Sequence, residues 1–163
     1  MKPIVIRSAT PDDAIPCYAI EIACFEPSSA ATQARIRNRI AVFPEGFLVA
    51  ELDDKIVGFI NSGATHKDDI SDESLKDMVG HEADGDNLVV FSLAVHPTQQ
   101  NSGFARLLLT ELADRAKFLC KRRMLLLCKS NLIGFYSKLG FADTGLSASN
   151  YGGYAWHQMR LTL

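Results

Sequence analysis

The pattern of apolar positions changes its period in the middle of the chain. Residues 88–95 are almost all apolar and β-prone, which is typical of a strand that is covered on both faces. Pro97 ends this strand because a proline has no N–H to donate to a ladder. Apolar residues then recur with helical spacing, which predicts a helix that begins near Gly103 and buries one face. The apolar face consists of Ala105, Leu108, Leu109, Leu112, Ala116 and Leu119.

The C-terminal third continues with alternating strands and a short helix. Residues 124–128 form another continuous apolar run, so the strand–helix–strand path predicts a parallel pair with a right-handed crossover. Residues 131–139 read as a short helix closed by Gly140, and a strand begins at Phe141. A glycine pair at 152–153 predicts a turn before a last strand over 154–163.

The N-terminal region shows a strand followed by two helices. Residues 4–7 read as a short strand, and Thr10 with Pro11 and Asp13 marks the start of a helix. We expect one side of this helix to carry its apolar residues, namely Ile15, Tyr18, Ala19, Ile22 and Phe25. The residues at 28–32 begin a second helix. Its inner face is predicted to hold Ile36 and Ile40, with Arg35, Arg37 and Arg39 mostly outside.

Two strands and a polar segment connect these helices to the central strand. Residues 47–52 and 55–60 predict a hairpin that turns at Asp53–Asp54, and Gly58 indicates a bulge or a close backbone contact. Residues 65–87 are polar and rich in acids, which favours a solvated loop with a short helix at 74–79. The alternative is a negative rim that attracts a cationic amine. Asp84-Gly-Asp86 matches only the beginning of a calcium loop.

Composition narrows the classes of function. The 163 residues are 47% hydrophobic, which fits a single domain over 1–163 with a sizeable core. The net charge of −2 and the lack of a basic tract argue against nucleic acid binding. No apolar run approaches the roughly 18 residues of a membrane span. The four cysteines lack Cys-x-x-Cys spacing, so we expect reduced, buried thiols in a cytoplasmic protein, and the scattered histidines predict no metal site.

The turn at 100–106 is suited to binding an anion. The first N–H groups of a helix have no intrahelical partner, and the helix dipole adds partial positive charge there. Gly103 and the small Ala105 allow a phosphate to approach the backbone closely. An ordinary strand–turn–helix connection explains the same residues equally well from local physics alone.

Two segments resemble the GCN5-related N-acetyltransferase family. Gln100-x-x-Gly103-x-Ala105, preceded by Leu93-Ala-Val-His-Pro97, resembles the pyrophosphate-binding segment of that family. Residues 131–141, with Phe135-Tyr136 followed by Gly140-Phe141, resemble its second acetyl-CoA segment. Together with Glu21-x-x-x-Phe25 they are similar to the arylalkylamine N-acetyltransferase branch and its bacterial relatives. The resemblance implies a mixed, mostly antiparallel α/β sheet of about six to seven strands. It would contain a splayed parallel pair and be flanked by about four helices.

The resemblance also implies a cofactor and the residues that bind it. Acetyl-CoA is the expected acetyl donor, with the N–H of Val95 polarising the acetyl oxygen and Tyr136 stabilising the leaving thiolate. Without such a role, Tyr136 is a packed aromatic and residues 93–95 are plain core strand. The residues expected to bind the cofactor are Leu93, Ala94, Val95, Gln100, Asn101, Ser102, Gly103, Phe104, Ala105, Arg106 and Asn131.

The acceptor is expected to be a small amine, and aromatic amines are among the candidates. Four aromatics are candidates for its pocket, or alternatively for the core, namely Phe25, Phe91, Tyr154 and Trp156. The arylalkylamine branch has two histidines on the strand before the cofactor turn, and Val89 and Phe91 stand at those positions here. Replacement candidates for the base are Glu21 and His157 acting through water. Cys128 as an acyl nucleophile is disfavoured against a buried strand cysteine.

Other functional classes remain open from the sequence. A protein or peptide amine acetyltransferase and a non-catalytic acyl-CoA-binding module are the alternatives to a small-amine enzyme. We expect a monomer or homodimer with no nucleic acid or membrane partner.

Overall fold

A computed structural model describes residues 3–163, which form one mixed sheet of seven strands. The strands are β1 (Val5–Ser8), β2 (Leu48–Leu52), β3 (Lys55–Thr65), β4 (Asn87–Val95), β5 (Arg123–Cys128), β6 (Ala142–Leu146) and β7 (His157–Thr162). Their order in the sheet is β1-β2-β3-β4-β5-β7-β6. Only β4 and β5 pair in parallel within this sheet, so the predicted mostly antiparallel sheet with one parallel pair is confirmed.

Four α-helices of residues 3–163 flank the sheet. They are α1 (Ala14–Cys24), α2 (Gln33–Val42), α3 (Phe104–Phe118) and α4 (Ile133–Lys138). The alternation of side chains along β2 separates two cores, since Leu48 and Ala50 pack with α3 while Val49 packs with α1 and α2. Leu108, Leu109, Leu112 and Ala116 of the predicted α3 face are buried.

The predicted inner face of α1 is correct for Tyr18 and Phe25, which pack against the core, but wrong for its other three residues. Ile15 and Ile22 are 61% and 54% exposed, whereas Ala14, Cys17, Ile20 and Glu21 are buried against the sheet. An ion pair fixes the rotation of the helix, because Arg7 of β1 binds the carboxylate of Asp13 at 2.7 Å just before α1 begins. The small side chains of Ala14 and Cys17 then allow α1 to approach the sheet, and Glu21 is carried inside with them.

The inner face of α2 is predicted correctly for Ile36 and Ile40 but incorrectly for Arg39. Arg39 is only 2% exposed, because it lies next to Ile40 on the side of α2 that packs against the segment between β3 and β4. The carbonyl of Lys76 in that segment accepts a hydrogen bond from Arg39 Nε at 3.1 Å.

The strands β4 and β5 separate after only four residue pairs. Asn87–Val90 pairs with Arg123–Leu126, and the rest of β4 continues without β5 beside it. His96 N–H donates to Val57 of β3 at 2.8 Å. Since backbone groups alternate sides along a strand, those of Leu93 and Val95 face away from β3, into the gap. The splayed parallel pair therefore leaves a backbone edge open inside the sheet.

The hairpin between β2 and β3 forms as predicted, whereas the polar segment contains a 3₁₀ turn in place of the predicted short helix. Asp53 and Asp54 have φ of 52° and 64°, as a tight hairpin turn requires. A Cβ at Gly58 would lie 2.9 Å from the carbonyl of Ala94, which explains the glycine as a close backbone contact. The helix predicted at 74–79 is a 3₁₀ turn over Glu73–Asp77, and it ends at Met78 with φ of 62°.

Three further observations concern metal-ligand side chains, membrane-spanning helices and the cysteines. Among residues 3–163, the only group of metal-ligand side chains is the exposed set of His66, Glu82 and Asp84. No helix of this part of the chain is long and apolar enough to cross a membrane. All four cysteines are free, but Cys120 is exposed rather than buried, at a position with φ of 61° after the end of α3.

Candidate active site

A cavity of about 300 Å³ opens where β4 and β5 separate. Residues 89–93 of β4 form one wall and residues 127–128 of β5 form another. The end of α1 and the segment before α2 contribute to the wall, as do residues of the segment between β3 and β4. The remaining wall comes from Arg39, Lys129, Asn131, Leu132, Tyr136, Tyr151 and Trp156.

Three of the four predicted acceptor aromatics line this cavity. Phe25, Phe91 and Trp156 belong to its wall. Tyr154 does not, and instead packs edge-on against Trp156 with ring centroids 6.1 Å apart. The ammonium of Lys129 lies 3.6 Å from the centre of the Tyr154 ring. Tyr154 therefore supports the wall through Trp156 and Lys129 rather than forming it.

Tyr136 lies on α4 and lines the cavity with a hydroxyl that has no hydrogen-bond partner within residues 3–163. Its ring is held edge-on by Phe135 and Phe141 at centroid distances of 5.0 and 5.7 Å. Burial, and in second place the neighbouring Cys128, raise the pKa of the Tyr136 phenol above its ordinary value. The hydroxyl is therefore protonated at neutral pH and free to donate into the cavity.

Cys128 lines the same cavity from β5. Burial, with a smaller contribution from the charge of Asp143, raises the pKa of its thiol to about 11. A thiol with this pKa is protonated at neutral pH and is a poor nucleophile. The geometry thus agrees with a buried strand cysteine.

Glu21 is a carboxylate inside the cavity wall. It is 1% exposed, and its Oε2 accepts the N–H of Ala31 at 2.9 Å. Its Oε1 has no partner that meets hydrogen-bond geometry within the described residues. Burial raises the pKa of Glu21, although the Ala31 N–H, the charge of Arg39 and the nearby Ser92 hydroxyl each favour the ionised form.

His157, the other candidate base, lies elsewhere. It stands on β7 opposite Cys128, outside the cavity wall, and its Nδ1 is 3.2 Å from the carboxylate of Asp143. Of the two candidates, Glu21 is the one that lines the cavity.

Arg39 brings a buried positive charge to the cavity. Its Nη1 donates to the side-chain carbonyl of Asn61 at 3.4 Å, and its guanidinium lies 4.9 Å from the centre of the Phe91 ring. Burial lowers the pKa of Arg39 to about 10, so the group still carries its charge at neutral pH. Asn61 Oδ1 also accepts the backbone N–H of Ser92, which ties β3 to β4 beneath the cavity.

The turn before α3 lies beside the open end of β4. Gln100 Nε2 and Cys24 Sγ both donate to the carbonyl of Val95, at 3.1 and 3.2 Å. Gly103 has φ of 85°, and a Cβ placed there would meet no atom within 4 Å. The Ser102 hydroxyl donates to the carbonyl of Gln99. The turn thus presents exposed backbone at the N-terminus of α3.

The other predicted cofactor residues lie on both sides of this turn. Leu93 and Asn131 line the cavity, whereas Ala94 points to the core beneath α1 and α2. Asn101 has a left-handed φ of 62° and, like Arg106, is exposed. Phe104 and Ala105 pack against the α3 core.

Sequence reasoning missed the polar cluster of Arg39, Asn61 and Ser92. One signal was available, because Asn61 interrupts the apolar run of β3 and a polar residue in a buried strand needs a partner. Several acids of residues 65–87 are paired with basic side chains. Glu73 pairs with Lys76 and Asp77 with Arg35, each at 2.8 Å, which weakens the idea of a free negative rim.

Comparison with known proteins gives four findings. A model of the acetyltransferase (GNAT) family matches residues 14–141. Serotonin N-acetyltransferase of Mesocricetus auratus is 29% identical over 161 residues, which cover 96% of this chain and 76% of that protein. The loading GNATL domain of CurA from Lyngbya majuscula superimposes with a TM-score of 0.88 at 16% identity, over 99% of this chain and 98% of the other. The structure of yncA from Salmonella typhimurium with acetyl-CoA gives a TM-score of 0.71 at 22% identity, over 99% and 95%.

Proposed function

The chain belongs to the acetyltransferase (GNAT) family, and from that premise we propose that it acetylates a small amine by direct attack in a ternary complex with acetyl-CoA. The observation that carries this proposal is the gap between β4 and β5. The gap exposes backbone N–H groups of β4 and opens into a cavity that is lined by both Tyr136 and Glu21.

The residues around the gap fit the donor. The outward N–H groups of Leu93 and Val95 can pair with an extended amide-bearing arm, as a neighbouring strand would. The turn at Gly103 is exposed, and because even a Cβ at this position would meet no atom within 4 Å, there is room for a pyrophosphate at the N-terminus of α3. We therefore assign residues 93–95, 100–106 and Asn131 to donor binding.

The chemistry assigns one role to each polar group. Acetyl-CoA supplies a thioester whose carbonyl carbon gains a bond to the amine nitrogen as its bond to sulfur breaks. The N–H of Val95 stabilises the charge that develops on the carbonyl oxygen. The Tyr136 hydroxyl donates a hydrogen bond to the sulfur, which leaves with the electron pair and takes up the second proton that the nitrogen loses as it becomes an amide. Glu21 accepts the proton that the ammonium must lose before its nitrogen can attack.

The shape of the cavity favours a small acceptor over a peptide. The segment between β3 and β4 contributes Ile70 and Leu75, and the C-terminal region contributes Tyr151 and Trp156, so the acceptor side is walled. Phe25 and Phe91 add apolar surface, which suits an amine with an apolar body. We further propose that the enzyme works in the cytoplasm, where its free cysteines stay reduced.

A panel of acceptors tests this proposal. Purified protein with acetyl-CoA is assayed for release of the free thiol against small amines with apolar bodies, free amino acids, and peptides with N-terminal or lysine amines. We expect turnover of small acceptors and little turnover of peptides. Preferential acetylation of peptides contradicts the small-acceptor proposal. Tight acetyl-CoA binding without turnover of any acceptor supports a non-catalytic acyl-CoA-binding module instead.

A further inference from the structure

A buried carboxyl group and a buried guanidinium line the same cavity. Glu21 lies on α1 and Arg39 on α2, and both belong to the cavity wall. Within residues 3–163 they form no ion pair, although the charge of each acts on the other. Both are almost completely buried, being 1% and 2% exposed.

Arg39 differs from the other basic residues around it. Within residues 3–163 its hydrogen-bond acceptors are the carbonyl of Lys76 and Asn61 Oδ1, which are both neutral. Arg35, one turn earlier on α2, pairs with Asp77, and Lys76 pairs with Glu73, each at 2.8 Å. Within the described chain, Arg39 is thus a buried guanidinium with no carboxylate of its own.

Such an arrangement is costly unless a ligand completes it. A buried charge without a partner of opposite sign is strongly disfavoured, as is a buried carboxylate oxygen without a donor. Oε1 of Glu21 lacks a donor among the described residues. The guanidinium of Arg39 is a planar, forked donor, which is the geometry that fits a carboxylate. The centre of the Phe91 ring lies 4.9 Å from Cζ of Arg39, so the ring packs against the guanidinium.

We propose that the acceptor is a free amino acid with an apolar side chain, whose carboxylate is bound by Arg39 and whose amine is bound by Glu21. This inference rests on the proposed function and specifies its substrate class. The zwitterion supplies one charge to each buried group, so that neither remains unpaired. The rest of the wall, including Phe25, Ile70 and Leu75, then receives the apolar side chain.

The decisive comparison removes the carboxylate charge and keeps the size of the acceptor. L-Phenylalanine is compared with L-phenylalaninamide and with phenethylamine, using acetyl-CoA as donor. Wild-type kcat/KM for phenylalanine should exceed that for phenylalaninamide at least tenfold. In Arg39→Met this ratio should fall close to one, and Arg39→Lys should restore part of it. Arg37→Met, an exposed position on the same helix, should keep the full ratio.

The outcomes separate this inference from the function on which it rests. Equal turnover of phenylalanine and phenylalaninamide by the wild-type protein overturns the inference and leaves amine acetylation standing. A ratio that survives Arg39→Met, with acetyl-CoA affinity retained, overturns the role of Arg39. If no acceptor is turned over, calorimetry on the coenzyme A complex decides. Binding of phenylalanine but not of its amide supports the inference, and no binding of either contradicts it.

Discussion

At the scale of the residue, Tyr136 has a hydroxyl that is both protonated and, among the described residues, unpartnered in the cavity. Tyr136→Phe keeps the ring between Phe135 and Phe141 and removes only the hydroxyl. Because this hydroxyl matters once negative charge appears on sulfur, kcat should fall about 100-fold. Affinity for acetyl-CoA, measured by calorimetry, should change little.

A second tyrosine provides the control for that substitution. Tyr18→Phe on α1, outside the cavity wall, should leave kcat unchanged. Full wild-type kcat in Tyr136→Phe, under conditions where chemistry limits the rate, would remove Tyr136 from the mechanism.

Glu21 is expected to lower the stability of the folded protein at a pH where its buried carboxyl group is ionised. Its pKa is raised on folding, so its contribution to stability is fully present below the unfolded value of about 4.3 and is lost as the pH rises through the folded value. Glu21→Gln keeps an oxygen for the N–H of Ala31 and removes the charge. The variant should therefore melt above the wild type at pH 8, and the difference should shrink toward pH 5.

Although Glu21→Gln should raise the melting temperature, it should lower the catalytic rate. Wild-type kcat/KM should fall as the pH drops through the raised pKa of Glu21, since the base must be ionised. In Glu21→Gln this fall on the acid side should disappear, and the rate at neutral pH should be lower than that of the wild type. The control is Glu26→Gln, at an exposed position, which should match the wild type in melting temperature and in rate. A Glu21→Gln variant with wild-type rates would show that another group takes the proton.

At the scale of the element, most strands and helices follow from the sequence because their periods are strong. The apolar run at 88–95 fits only a strand, and the helical stripe after Gly103 fits only a helix. Both elements are found where they were predicted. The rotation of α1 is different, since apolar residues occur on more than one side of it. The buried face is selected by the Arg7–Asp13 ion pair and by the small residues Ala14 and Cys17. Neither determinant is visible in the spacing of apolar residues along the sequence.

The candidate site is less predictable than the elements that build it. Arginine is rarely buried, so sequence reasoning places Arg39 outside, and its burial depends on a contact with residues 73–77, which are distant in sequence. Likewise, the polar segment between β3 and β4 supplies Ile70 and Leu75 to the cavity wall. Long-range packing of this kind leaves no local pattern, so the residues proposed for the donor side follow from motifs, whereas those proposed for the acceptor side follow from the fold.

The turn at the start of α3 allows a test with a matched control. Gly103 and Gly80 have φ of 85° and 83°, and a Cβ at either position meets no atom within 4 Å. Valine at either position therefore carries similar backbone strain, about 1–2 kcal/mol of lost stability. Only Gly103→Val should raise the dissociation constant of acetyl-CoA, by at least tenfold or about 1.4 kcal/mol. Unchanged affinity in folded Gly103→Val would remove the turn from donor binding.

At the scale of the whole molecule, the sheet consists of two parts joined along a short seam. Strands β1 to β4 carry α1, α2 and α3, while β5, β7 and β6 carry α4. Within the sheet, four residue pairs between β4 and β5 connect the two parts, and the gap begins directly beyond them. A donor bound in the gap would extend the seam by acting as a strand between β4 and the end of β5.

This arrangement predicts an alternating pattern of amide exchange along a single strand. The N–H groups of Leu93 and Val95 face the gap and should exchange quickly in the free protein, whereas those of Ala94 and His96 face β3. On addition of acetyl-CoA, NMR-detected exchange should slow at Leu93 and Val95 far more than at their two neighbours. Equal slowing at all four amides would indicate general stabilisation by ligand binding rather than pairing with β4. Unchanged exchange at Leu93 and Val95 with saturating acetyl-CoA would mean that the donor does not lie along this strand.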